Sequence, residues 1–388
     1  MLSAIKELEQ RADVLCAEPD YYLYTSADPD DTYRNDQWAI NKIGLPNAWN
    51  VTTGSDSVSV GIIDSGIATS HPDLDGRIDP DTTLSTSFHS TGGYNIDSLG
   101  HRTTIAGVIA AQTDNEAGIS GVCWNIDLVS LKVTNTTTVS ISAIPLAIDY
   151  AREHKIDILN CSLSTDGLES PSLSEIEVLR TAIARYNGLF ICSAGNDSLN
   201  LDSTAVYPPE YTNSNIIVVG SSTQFDTRAT HSNYGKTTVD LFAPGEGILT
   251  TAKCLTGCST CNSSTPGYHS VSGTSFAAPY VAGVAALIKS KYPSLTASQI
   301  KERIMNSVTK PVYNNVFENL CVSGGWLNAY SAVHNHTLSR INTQDGYTHL
   351  AYCNTVDCFY NYNENHTFII SGVGYECSAC GYYSEIIP

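Results

Sequence analysis

The stretch from Gly273 to Ile288 constrains this chain more than any other. Gly273-Thr274-Ser275-Phe276-Ala277-Ala278-Pro279 is a turn of small residues feeding an apolar run, Tyr280 to Ile288, built mainly from Val, Ala, Gly and Leu. A helix of that composition belongs inside a larger core. With 388 residues, 42% of them hydrophobic, the chain can build one large core and a small extra module. Ser275 then stands at a helix N-terminus, in a positive local potential and beside unpaired backbone N–H groups. Those conditions suit a nucleophile whose product is an oxyanion. An ordinary serine cap on a buried helix accounts for the same residues.

A serine nucleophile needs a base, and the base needs an orienting carboxylate. Val58-Ser59-Val60-Gly61-Ile62-Ile63 reads as a buried strand that delivers Asp64 at its C-terminal edge. Gly100-His101-Arg102-Thr103-Thr104 opens a small-apolar helix, which puts His101 at a helix start. Phe190-Ile191-Cys192-Ser193-Ala194-Gly195-Asn196 is a short buried strand ending in an amide. Each has a plain explanation alone: Asp64 as a turn former, His101 as one of ten histidines, Asn196 as a turn residue after glycine. Asp, His and Ser in that order, each at an element terminus, match one of the known chain orders of the catalytic triad.

With those residues in place the chain resembles the subtilisin-like (subtilase) serine proteases, over roughly residues 30–333. Four blocks carry the resemblance: Val60 to Ile67 with His71-Pro72-Asp73-Leu74, Gly100-His101 through Gly107, Ser193-Ala194-Gly195-Asn196, and Gly273 to Pro279. It implies Ser275 as nucleophile, His101 as general base and acid, Asp64 as its orienter and Asn196 as oxyanion donor. It also implies polypeptide substrates lying extended along Leu131-Lys132-Val133-Thr134 and Cys161-Ser162-Leu163-Ser164. The expected substrate contacts are therefore Val133, Thr134, Ser162, Leu163, Ser164 and Gly195. No Gly-x-Ser-x-Gly elbow is present, which disfavours a lipase or esterase.

One position departs from the family, whose His-Gly-Thr reads here His101-Arg102-Thr103. The Arg102 cation could pair with Asp64 or disfavour the imidazolium. The plainer expectation is that Arg102 points to solvent from the first helical turn. Lowered activity would follow from the first view, and its extreme is the alternative function: a catalytically impaired, protease-like binding protein.

Strands near 58–63, 128–133, 156–161, 189–192 and 216–220 alternate with helices near 102–111, 142–153, 174–186, 275–291 and 297–308. This is the pattern of an α/β fold, a subtilisin-like doubly wound, mostly parallel sheet with helices on both faces. The candidate catalytic residues fall at the sheet edge where such folds place active sites. Residues 334–388 change texture, rich in Tyr, Asn, Thr and Cys, and read as a small Cys-rich β-like C-terminal module. Residues 1–27 resemble the end of an inhibitor-type propeptide, leaving 28–333 as the catalytic domain. The chain's own propeptide is then an expected intramolecular inhibitor.

Twenty basic against 39 acidic residues give a net charge of −19, which argues against nucleic acid and anionic membranes as partners. No apolar stretch is long enough for a membrane span, and residues 1–20 carry no signal-peptide core. The family resemblance implies a secreted or cell-surface monomer, with a cytoplasmic location as the alternative. The resemblance implies structural calcium at Asp73, with Asp114 and Asn115, and Asp31 in the entry segment is a further candidate oxygen ligand. Cys353, Cys358, Cys377 and Cys380, spaced C-x4-C and C-x2-C, permit zinc or disulfides. Cys123, Cys161 and Cys192 lie in core elements and read as inert buried thiols.

Overall fold

In the computed structural model, residues 27–78, 84–89, 93–97, 99–136, 138–165, 171–253, 267–310 and 316–334 are described, together with the backbone of six strands between 338 and 384. The propeptide-like segment before residue 27 and the insertion holding Cys254, Cys258 and Cys261 lie outside them.

A seven-stranded parallel sheet organises the molecule, in the order β2-β3-β1-β4-β5-β6-β7. Its strands are β1 (Gly54–Asp64), β2 (Thr86–Ser87), β3 (Asn125–Lys132), β4 (Ile158–Cys161), β5 (Leu189–Ser193), β6 (Ile216–Ser222) and β7 (Leu241–Pro244). Register pairs Asp64 with Lys132 on one side, and Ile62 with Asn160 on the other. The chain returns to both sides of β1, so the crevice beyond its carboxyl end is the topological switch point. Expected and observed strands agree closely. Sequence reading missed β2, β7 and the antiparallel pair β8 (Ile248–Thr251) and β9 (Tyr268–Val271).

Alternation along β1 explains the two layers. Val58, Val60 and Ile62 enter one core with helices α3 (His101–Ala110) and α6 (Thr274–Lys291), after two short helices α1 (Trp38–Lys42) and α2 (Leu45–Trp49). Ile63 enters the other, with α4 (Ala143–Glu153) and α5 (Leu173–Arg185). The remaining helices are α7 (Ala297–Asn306) and α8 (Ala329–Val333). Helix α6 is buried at Thr274 and from Phe276 through Ile288. Each Val, Leu or Ile there contributes about 1.5–3 kcal/mol through burial. Gly283 permits the approach, since a Cβ there would lie 2.5 Å from Val122 Cβ.

The C-terminal residues form two small antiparallel sheets, β10 (Leu338–Asn342), β11 (Thr348–Cys353) and β12 (Asn361–Asn365), then β13 (Phe368–Ser371), β14 (Gly374–Cys377) and β15 (Tyr383–Ser384). The β-like reading of the tail agrees with this backbone. Cys358 and Cys380 lie outside the described residues, as do the side chains of Cys353 and Cys377.

Candidate active site

Strand β1 ends in Asp64, a carboxylate 2% exposed. Its Oδ2 lies 2.9 Å from Nδ1 of His101, and its Oδ1 accepts the Ser65 N–H at 2.7 Å. His101 is the first residue of α3 and keeps 31% of its side-chain surface exposed. Burial alone would raise the Asp64 pKa. The His101 charge and hydrogen bond, the Arg102 cation and the Ser65 amide outweigh it and hold the carboxyl below its ordinary range. For His101, burial pulls the pKa down, but the Asp64 charge and hydrogen bond, with Asp97 adding, raise it above the ordinary imidazole value. Arg102 opposes that rise.

Sequence reading missed Asp97. Completely buried, it accepts from Ser65 Oγ at 2.9 Å, from the N–H groups of Leu99 (3.1 Å), Gly100 (2.9 Å) and Thr103 (3.0 Å), and from Thr103 Oγ1 at 2.7 Å. It thereby caps α3, which has no side-chain cap from Gly100, and ties the helix to β1. The signal was present: Asp four residues before His101, just ahead of a helix start.

Arg102 corrects an expectation. Rather than pointing to solvent it is 0% exposed. Its Nη1 donates to Ser130 Oγ at 2.9 Å and its Nη2 to the Leu131 carbonyl at 2.7 Å, so the guanidinium is fastened to β3. Among the described residues it makes no direct ion pair with Asp64. Residues 102–110 of α3 are buried all round, which leaves this helix no solvent face.

Ser275 lies in the first turn of α6, and its Oγ is 3.4 Å from the Ser162 carbonyl oxygen. Ser162 Oγ donates in return to the Ser275 carbonyl at 2.9 Å. Catalytic hydrogen bonds of ligand-free enzymes are often loose and tighten with substrate. Asn196 emerges from the end of β5, where Gly195 turns the chain at φ 100°. Its Oδ1 accepts from Thr274 N at 2.8 Å and Thr274 Oγ1 at 3.1 Å, satisfying an orphan N–H at the start of α6. Gly195 N donates to the same threonine hydroxyl at 3.1 Å. Buried Asn233 holds the turn from below, with Nδ2 on the Ala194 carbonyl (2.9 Å) and Oδ1 accepting from the N–H groups of Asp197 (3.0 Å) and Leu199 (2.8 Å). The Phe276 ring packs on His101, centroids 5.5 Å apart. Thr274, Asn233 and Phe276 were not singled out in the sequence.

The expected substrate contacts divide. The Val133 and Thr134 side chains are 3% exposed, with Thr134 Oγ1 bonded to the Thr136 and Thr138 carbonyls. Leu163 and Ser164 are half-buried at the end of β4, while Ser162 and Gly195 are engaged with Ser275 and Thr274.

The expected calcium ligands divide as well. Asp31 and Asp73 are buried at 4% and 1%, while Asp114 and Asn115 are exposed. Asp31 accepts from Asn115 N at 3.1 Å and Ser120 Oγ at 2.5 Å, and Asp73 Oδ2 accepts from Ile119 N at 3.0 Å. Among the described residues, the buried Asp73 Oδ1 has no hydrogen-bond partner. Burial, with the Asp31 charge adding, pushes the Asp73 pKa up to about 7. An orphaned carboxylate oxygen within range of a second carboxylate fits a hard cation. Among the described residues no group of three or more His, Cys, Asp or Glu could hold a metal ion. Cys123, Cys161, Cys192 and Cys321 are free and buried, and burial raises the pKa of each, as inert thiols require.

The subtilase family model matches residues 55–330. Subtilisin DY of Bacillus licheniformis is 37% identical over 256 residues, covering 65% of this chain and 84% of its own. Subtilisin Savinase of Lederbergia lenta is 33% identical over 296 residues, 76% of this chain and 97% of its own. The solved structure of a protease from Pseudoalteromonas arctica superposes with a TM-score of 0.65 at 28% identity, over 79% of this chain and 99% of that one. Sheet, crevice and matches agree: the chain belongs to the subtilase family. It is a subtilisin-like serine endopeptidase. Among the described residues, no helix is long and apolar enough to cross a membrane.

Proposed function

We propose that this endopeptidase works through an acyl-enzyme on Ser275. His101 Nε2 takes the hydroxyl proton as Ser275 Oγ attacks the scissile carbonyl. The imidazolium then gives that proton to the leaving amine. Asp64 holds the imidazole with Nδ1 toward it and balances the charge that forms. With Asn196 Oδ1 accepting from Thr274, the donor proposed for the tetrahedral oxyanion is the Asn196 amide nitrogen. Water, activated by the same imidazole, releases the acyl group. The observation that carries this reading is the 2.9 Å contact of Asp64 with His101 at the edge where α6 presents Ser275.

Substrate would lie extended between the ends of β3 and β4, using the backbone of 131–134 and 161–164, because the Val133 and Thr134 side chains are engaged inside. The impaired-binder alternative loses its ground, since Arg102 is buried against β3 and blocks no approach to His101. We also propose work outside the cell, after release from the propeptide-like segment. Calcium, if bound, would be held by Asp31 and Asp73, where it would pin the loop after α3 to the N-terminal segment.

A fluorophosphonate probe, read by intact mass, should add once to the parent and not at all to Ser275→Ala. A folded parent that takes no label would sink the proposed roles. For the metal, added calcium should raise Tm in the parent but leave Asp73→Asn unmoved. Equal responses would remove the site.

A further inference from the structure

Four charged residues lie buried in and around the base of α3: Asp64, Asp97, Arg102 and Lys132, each between 0 and 2% exposed. They come from β1, the segment before α3, α3 itself and β3. Lys132 Nζ donates to the carbonyls of Ile96 at 2.6 Å and Gly93 at 3.2 Å. Lys253, after β8, is half-buried and donates to the Asp97 carbonyl. Cys161 on β4 sits in the second core layer, where burial raises the pKa of its thiol. Among the described residues, the buried Arg102 Nε has no hydrogen-bond partner. Burying a guanidinium without a direct carboxylate partner is costly, and an apolar side chain of that size would fill the space more cheaply. The cation therefore calls for an electrostatic account.

Counting the four buried charges gives one. Among the four buried residues two carboxylates offset two cations, so these four balance while His101 is neutral, and half-buried Lys253 adds a further cation at the edge. Protonating His101 takes the buried cluster to one net positive charge in a low-dielectric surrounding. Without Arg102 the same cluster would be one negative charge in excess, and protonating His101 would balance it. We propose that Arg102 is a positioning residue with a second role: fastened to β3, it seats α3 beneath His101, and its buried charge disfavours the imidazolium, so that more of His101 is in its base form for the attack by Ser275. The proposal rests on His101 being the general base. Burial lowers the Arg102 pKa only to about 10, with Asp64 and Asp97 opposing the fall, so the cation persists across the working range.

The test compares two neutral replacements, Arg102→Gln and Arg102→Met, with the charge-keeping Arg102→Lys. Two readouts are taken on each: the pH profile of fluorophosphonate labelling, and the NMR titration of the His101 imidazole. Both midpoints should rise by about one unit in the neutral variants, as expected for removal of one nearby buried cation, and return toward the parent value in the lysine variant. A guanidinium that serves only as scaffold would lower amplitude or Tm and leave the midpoints where they were. An unmoved midpoint in either folded neutral variant overturns the proposal. So does loss of fold in both while Arg102→Lys stays folded, because the charge would then be serving the fold alone. If the parent is not labelled at all, the acyl-enzyme reading fails, while the imidazole titration still judges Arg102 separately.

Discussion

Around His101 the supporting side chains are ionic and buried: Asp64, Asp97, Arg102 and Lys132. Around Ser275 they are neutral: Thr274, Ser162 and Asn233, with Asn160 donating to Ser162 Oγ at 3.0 Å. The two halves of the crevice do different work. A general base must gain and lose a proton, and only charges placed nearby set the pH at which it does so. An oxyanion hole must have its donors already aimed, and neutral amides and hydroxyls achieve that without disturbing the titration of the imidazole. One half tunes an equilibrium, the other fixes a geometry.

The contrast can be broken by experiment. Asn196→Ala should lower kcat by about 10²–10³-fold, the loss known for the oxyanion asparagine of subtilisin, a relative of this chain. Its pH midpoint should stay put, and a moved midpoint would mean that the neutral half also carries charge tuning. Asp97→Asn should show the reverse. The carboxylate favours the imidazolium, so removing it lowers the proton affinity of His101 and moves the activity midpoint to lower pH. This is opposite in direction to Arg102→Gln. Lost charge-assisted bonds at the α3 cap should also cost about 1.5–3 kcal/mol in denaturant unfolding. Thr274→Val, which removes the hydroxyl shared by Gly195 and Asn196, should reduce kcat by about three- to tenfold at every pH. A pH-dependent loss there would contradict the division.

Much of this was legible in the sequence, for identifiable reasons. The β-branched runs at 58–63 and 216–220 announced their strands, and Ser275, His101, Asp64 and Asn196 were readable as element termini. Arg102 departs from expectation because a first-turn position by itself permits a solvent-facing side chain. Its helix, Ile105 to Ala110, is small and apolar throughout, and that alone argued against any exposed side. Asn233 was not legible: its bonds run to Ala194, Asp197 and Leu199, more than thirty residues away. Val133 and Thr134 are expected substrate contacts through the family's pairing with edge backbone, and which way their side chains turn is decided by packing across the sheet.

The Asn196–Thr274 contact has a practical consequence. One amide oxygen holds the first N–H of the helix that carries Ser275, so the turn at Asn196 and the start of that helix stand or fall together. A molecule in which that junction frays loses nucleophile and oxyanion donor at the same moment. Preparations of uneven quality should then behave as mixtures of fully competent and wholly silent copies, and counting reactive serines becomes a direct census of correctly assembled protein.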